Sequence, residues 1–213
     1  GKLFQLSYVG TLAVQIAPVL LVAYVTTMFS VDIRYGVSKA KLLSETDDLT
    51  GLPNTRGFNA VAGRAFAQSR RYGRPASLLM LDSDNLKAVN DAHGHEAGNQ
   101  LLRNLAEAVR HELRGTDVPA RYGGDEFIAL LPETDGKAAT EVAERIRRAV
   151  EARPLFSGDQ YVRCTVSIGV ASCPPDGDSL TELVSRADRA LYAAKGDGRN
   201  LVRRFGDRDP ENG

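Results

Sequence analysis

Between Asp117 and Leu131 the chain reads Asp-Val-Pro-Ala-Arg-Tyr-Gly-Gly-Asp-Glu-Phe-Ile-Ala-Leu-Leu. Two short extended runs flank a Gly-Gly pair, which predicts a β-hairpin. Whatever sheet this chain builds must therefore hold an antiparallel pair. Two adjacent acids, Asp125 and Glu126, sit at the bend. Gly123 and Gly124 carry no Cβ, so backbone or ligand can come close there. An acidic tip with room beside it suits a metal ion or a phosphate. A solvated acidic turn uses the same residue types.

Around the hairpin, hydrophobic periodicity predicts helices over 55–72, 95–113, 136–152 and 180–195. Ser77 to Leu81 reads as a buried strand running into Asp82, Tyr161 to Ala171 as a second strand, and Asn200 to Phe205 as a short last one. Helices alternate with strands, yet one strand pair is a tight hairpin. The fold class is therefore an α/β (α+β) sheet with antiparallel pairs, flanked by helices. With 213 residues, 43% of them hydrophobic, the chain is long enough for one full domain plus an extra segment. Formal net charge is zero, so no global basic field exists and no nucleic-acid partner is expected. Cys164 and Cys173 form neither a CxxC pair nor a disulfide framework, which fits a reducing compartment.

The extra segment is N-terminal. Leu3 to Val31 is 29 residues without a charge, densest in apolar residues from Leu12 to Phe29. That length predicts an apolar helix over residues 1–31 that crosses a bilayer, for which about 20 residues suffice. Arg34, Lys39 and Lys41 follow it and only Lys2 precedes it, which places the C-terminal side in the cytoplasm. The expected localisation is the inner (cytoplasmic) membrane, with that helix as the membrane contact. The chain opens on Gly1, which reads as a processed or partial chain. Residues 32–46 read as a connector helix, 47–205 as the globular domain, and 206–213 as a polar tail.

Asp82 and Asp84 end the first strand. If that sheet edge lies beside the hairpin, Asp82, Asp84, Asp125 and Glu126 converge. Clustered carboxylates need cations, and hard oxygen ligands suit Mg²⁺, held by one or two carboxylates together with substrate phosphates. Such a site serves in-line nucleotidyl transfer. No GxxxxGK[ST] is present, which excludes a P-loop. Lys87, Lys195 and Arg199 are the candidate phosphate contacts. His93 and His95 lack a third soft ligand for zinc.

Arg121–Phe127 resembles the signature of the GGDEF family of diguanylate cyclases. The resemblance extends to Asp48–Asn54, to Leu81–Lys87 with Val89-Asn90-Asp91 and Gly94-His95, to Val166–Val170, and to Ala187–Lys195 with Gly198-Arg199-Asn200. These blocks stand in the family's order over about 46–205. The resemblance implies a central, mostly antiparallel five-stranded sheet, similar to the catalytic palm of nucleotidyl cyclases and polymerases. It implies condensation of two GTP to cyclic di-GMP with release of pyrophosphate, across a homodimer of two such domains. It implies two Mg²⁺ per active site, with Mn²⁺ an acceptable substitute, on Asp82, the Ser83 carbonyl and Asp125. Asp125, Glu126 and Lys87 become catalytic. Asn90, Asn99, Gly123, Gly124, Lys195 and Arg199 contact substrate. Arg114 and Asp117 match the family's RxxD inhibitory site for the product, with Arg145 beside them.

One departure bears on specificity. Where the family has Gly-Asp ahead of Leu-Leu, this chain has Gly98-Asn99-Gln100-Leu101-Leu102. An amide offers one acceptor and a donor where a carboxylate offers two acceptors to guanine. Asn99 predicts weakened guanine selectivity, including use of ATP, or alternatively a weak or silent module that senses cyclic di-GMP. Leu86 and Thr55 stand where the family has Phe and Arg, and neither removes a group from the mechanism.

Overall fold

The computed structural model describes residues 16–29, 44–157 and 160–207. The chain divides into two compact units, 1–44 and 45–213. In the first, residues 16–29 are helical (α1). Fourteen residues at about 1.5 Å each reach about 21 Å, short of the roughly 30 Å hydrocarbon core. Among the described residues no helix is long and apolar enough to cross a membrane. This corrects the expected bilayer span, and with it the membrane contact and the inner-membrane localisation: hydropathy summed over 29 residues exceeded the length of helix actually described. The expected connector falls mostly on residues 32–43, outside the described residues, and so does the tail beyond Asp207.

The second unit runs α2 (Thr55–Arg71), β1 (Ala76–Ser83), α3 (Leu86–His93), α4 (His95–Glu112), β2 (Val118–Arg121), β3 (Glu126–Pro132), α5 (Gly136–Glu151), β4 (Leu155–Ser157), β5 (Gln160–Val162), β6 (Val166–Cys173), α6 (Leu180–Gly196) and β7 (Val202–Arg204). Five strands form one sheet in the order β2-β3-β1-β6-β7, and β4 pairs β5 apart from it. All pairs in the large sheet are antiparallel except β6 with β7. The expected mostly antiparallel five-stranded sheet flanked by helices is what forms.

Every residue of β1 and β6 is buried, because helices cover both faces. Side chains alternate across a strand. Leu79 and Leu81 face α4 and α5, packing with Leu101, Leu105, Val109 and Ile146. Leu78 and Met80 face α2 and α6, packing with Phe58, Phe66, Leu183 and Leu191. Pro119 lies in β2, an edge strand, where a missing N–H costs no inner ladder bond. Side-chain caps start three helices: Asn54 accepts from the Arg56 and Gly57 amides, Asp135 from Ala138, and Ser179 from Glu182.

Three local features depart from the expected elements. Residues 86–93 form a separate helix rather than a loop. The expected strand 161–171 is two strands, β5 and β6, with 163–165 between them. Leu155–Ser157 adds an unexpected partner for β5.

Candidate active site

The turn of the β2–β3 hairpin is fixed from below. The Arg121 guanidinium donates to the Gly124 carbonyl through Nη2 at 2.6 Å and to both Asp47 oxygens through Nη1 at 3.1 and 3.0 Å. Asp47 also accepts from the Thr50 amide and hydroxyl. Burial pushes the Asp47 carboxyl up, but these hydrogen bonds outweigh it and hold it below its ordinary value. The opening motif thus clamps the hairpin: the Arg121 amide donates to the Pro53 carbonyl at 2.8 Å, and Thr55 Oγ1 to the Tyr122 carbonyl at 2.9 Å. Thr55, a departure from the family pattern, is used structurally here. A Cβ on Gly123 would stand 2.7 Å from Glu126 Oε2, so glycine lets that carboxylate fold against the backbone. A Cβ on Gly124 would meet open space.

Sheet register carries the acids together. Asp82 lies opposite Glu126 on β3 and Ser167 on β6. The Ser83 amide donates to the Asp125 carbonyl at 3.2 Å. Lys195, in the last turn of α6, reaches Asp82 Oδ2 at 2.6 Å. Asp82 is buried, and burial raises its carboxyl to about 6; Lys195 opposes the shift, while Asp125 and Glu126 add to it. The Ser83 hydroxyl is buried with no partner among the described residues. Lys87 is exposed on the first turn of α3, and Asn90 lies one turn on. The Asn90 Oδ1 lies only 2.0 Å from where a Cβ of Gly98 would stand, so α3 and α4 bring Asn90 beside the Gly98-Asn99 step. Asn99 Nδ2 makes a long contact of 3.5 Å to Glu96 Oε2. Arg199 lies in the turn after α6 and lines a cavity with Asp84 and Asn85.

Asp84 is the residue that does not converge. Its carboxylate accepts from Thr165 Oγ1 at 2.7 Å, Ser167 Oγ at 2.5 Å and the Asn200 amide at 3.0 Å. The strand ends at Ser83, so Asp84 turns from the hairpin and braces β6 and the turn after α6. The expected fourfold carboxylate cluster is therefore threefold at most: Asp82, Asp125 and Glu126. Among the described residues no three His, Cys, Asp or Glu side chains gather into a ready-made metal cage. Mg²⁺ needs none, since substrate phosphates and water complete its shell. Asp82, Asp125 and the Ser83 carbonyl are hard oxygen donors of the type that ion takes; burial chiefly raises the Asp82 carboxyl, and the repulsion from Asp125 and Glu126 that adds to it is what a divalent cation relieves.

Asp82 also predicts a pH-dependent stability. Its folded value of about 6 lies above the ordinary 3.8, so the folded chain binds a proton more tightly than the unfolded one. The resulting stabilisation is full below about pH 4 and is lost as pH rises through about 6. In Mg²⁺-free buffer, Asp82→Asn should match the parent near pH 4 and exceed it at pH 7.5 by on the order of 2 kcal/mol. Thermal denaturation across that range checks this; a less stable variant at pH 7.5 would show that the Lys195 contact outweighs burial.

At the other end of α4, the Arg114 amide donates to Asp117 Oδ2 at 2.8 Å and the Asp117 amide to the Arg114 carbonyl at 3.0 Å. Burial raises the Asp117 carboxyl, against the pull of Arg114. Arg145 bonds Glu112 Oε2 at 3.0 Å and the Glu112 carbonyl at 3.2 Å, which brings α5 to within two residues of Arg114 along the chain. Arg163 is a residue that sequence reasoning missed: it shares the cavity with Arg199, and no motif marks it.

Comparison with known proteins agrees with this geometry. The family model for the GGDEF domain of diguanylate cyclases matches residues 44–201. The response regulator PleD of Caulobacter vibrioides is 37% identical over 172 residues, covering 80% of this chain and 38% of that protein. Diguanylate cyclase A of Treponema denticola is 44% identical over 126 residues, covering 59% of this chain and 34% of that protein. The crystal structure of the GGDEF domain of DgcB from Caulobacter crescentus in complex with c-di-GMP superposes with a TM-score of 0.72 at 36% identity, covering 76% of this chain and 96% of that one. The chain belongs to the GGDEF diguanylate-cyclase family. It spans roughly a third of the length of these curated relatives.

Proposed function

We propose that this chain is a Mg²⁺-dependent diguanylate cyclase, condensing two GTP to cyclic di-GMP with release of two pyrophosphates. The observation that carries the reading is the register that sets Asp82 opposite Glu126, with Asp125 and Lys195 against the same strand end. Asp82, the Ser83 carbonyl and Asp125 would hold Mg²⁺, two ions per site. Bound there, Mg²⁺ lowers the charge on the phosphates and on the attacking oxygen. Asp125 or Glu126 takes the proton of a 3′-hydroxyl as that oxygen bonds to the α-phosphate of the other GTP. Lys87, Lys195 and Arg199 hold the phosphates that leave. Lys195 is paired with Asp82 at 2.6 Å, and the same ammonium is within the site to serve a phosphate. Asn90, Gly123 and Gly124 line the nucleoside.

One hairpin is half a site, since the hydroxyl and the phosphate belong to different nucleotides. The domain at 47–205 therefore works as a homodimer. Arg114 and Asp117, with Arg145 brought near through Glu112, form a product-binding site that holds two domains apart from a productive arrangement. An arginine fork suits phosphate and the guanine edge.

Asn99 supports a second reading within the same chemistry, because it flanks the Gly98 that packs on Asn90. A lost acceptor leaves one guanine donor unpaired and weakens GTP by roughly tenfold. The test is product analysis with GTP, ATP and their mixture, with Mg²⁺, on a forced dimer. Cyclic di-GMP from GTP is the expected main product, with mixed or adenine-containing dinucleotides from the mixture. Binding of cyclic di-GMP without turnover would replace the cyclase reading with a sensor. Strictly guanine products at ordinary affinity would remove the role given to Asn99.

A further inference from the structure

A cavity of about 480 Å³ opens beside the end of β1, within the size range of ligand sites. Its walls include Asp84, Asn85, Arg163, Thr165, Arg199 and Asn200. Asp84 is the lone carboxylate among these residues, and it accepts three hydrogen bonds from Thr165, Ser167 and the Asn200 amide. Two guanidinium groups are left to set the character of the space.

The turn that carries Arg199 and the Arg163 guanidinium are both anchored. Arg199 and Asn200 have φ of +62° and +49°, a left-handed conformation that side chains other than glycine adopt at a cost. The turn is pinned through Asn200: its Oδ1 accepts from Arg147 Nη1 at 2.9 Å and its Nδ2 donates to Glu151 Oε1 at 3.0 Å. Glu151 also accepts from Arg147 Nη1 at 2.9 Å and from Arg163 Nη2. One carboxylate at the end of α5 therefore ties the turn that carries Arg199 to the segment that carries Arg163. Arg163 commits one nitrogen to Glu151. Its Nε and Nη1 have no partner among the described residues, and its side chain is 62% exposed.

We propose that Arg163 is a further phosphate-binding residue, which with Arg199 grips the β- and γ-phosphates of the bound nucleotide and the pyrophosphate that leaves. The inference rests on the cyclase reading above. A polyphosphate in a metal site needs cations on the oxygens the metal does not reach, and a guanidinium with two free donors answers that with directed, charge-assisted bonds. The cavity is lined by Asp84 and Asn85, which directly follow the proposed ligands Asp82 and Ser83, so it adjoins the proposed metal site. Strain at Arg199 and Asn200, fixed by charged partners, marks a turn kept for a ligand rather than for the core.

The test is calorimetric binding to the full chain with Mg²⁺, using guanosine 5′-(α,β-methylene)triphosphate and GMP as probes, with inorganic pyrophosphate as inhibitor in turnover assays. Arg163→Ala should weaken the triphosphate analogue and pyrophosphate by about tenfold and leave GMP unchanged, and Arg163→Lys should recover part of the loss. Equal affinity for the analogue in Arg163→Ala and parent, or equal loss for analogue and GMP, overturns the inference while the cyclase reading stands. A parent chain that binds neither nucleotide overturns both.

Discussion

Asp125→Ala is expected to lower production of cyclic di-GMP from GTP by about 10³-fold or more, the scale at which removal of a metal-holding or charge-stabilising group acts. Asp125 stands at the hairpin turn and is the proposed metal-holding acid. Its carbonyl is tied to the Ser83 amide, which fixes the backbone independently of the side chain. Among the described residues its carboxylate makes no hydrogen bond or ion pair that would need replacing, so truncation should leave thermal stability within about 1 kcal/mol of the parent. It should even relieve some of the repulsion that raises Asp82. The two effects separate cleanly: chromatography of the products reads the first and thermal denaturation the second. Turnover within tenfold of the parent would remove Asp125 from the mechanism. Loss of turnover together with unfolding would make it a structural acid instead.

The parts of this fold legible in the sequence are those carried by short-range rules. Gly123-Gly124 between extended runs announced the hairpin, and the apolar stripe of Leu101, Leu102, Leu105 and Val109 announced α4. What stayed hidden depends on partners distant along the chain. Asp84 looked like a fourth acid of the cluster because it stands two residues beyond Asp82, the spacing that shares a face in a continuing strand. The strand stops one residue earlier, and Thr165, Ser167 and Asn200, at least 81 residues away, take the side chain. The helix α3 escaped notice because it is eight residues long and buries only Val89, too little for a periodic signal. Residues 161–171 read as one strand because β-branched and aromatic residues stand at both ends, whereas the pairing breaks across 163–165. That break is what puts Arg163 on a cavity wall, and nothing in its neighbours' composition foretells it. The apolar run at 3–31 shows the reverse error: composition alone suggested a span that the described helix is too short to make.

The same distance dependence sets the second large effect, which lies outside the acids altogether. Gly169 is in the middle of β6, paired with Met80 of β1 on one side and Arg203 of β7 on the other. A Cβ there would stand 2.0 Å from the Ala187 carbonyl oxygen and 2.3 Å from the Leu191 amide nitrogen. Both atoms are backbone of α6, so no side chain can rotate aside. β6 is held on both edges by its ladders, which leaves α6 to move. Gly169→Ala should therefore cost about 3 kcal/mol or more, the upper range for overpacking, and lower the melting temperature by roughly 6–12 °C. The displacement reaches the site, because α6 carries Lys195 to Asp82 at 2.6 Å and leads into the turn of Arg199. Near-parental stability in denaturant titrations would mean that the sheet and α6 yield more easily than their packing implies. Where the fold does survive, affinity for the triphosphate should fall even though no proposed substrate contact has changed, since the close approach of β6 and α6 is what sets Lys195 against Asp82 and positions the turn of Arg199, the two proposed phosphate contacts.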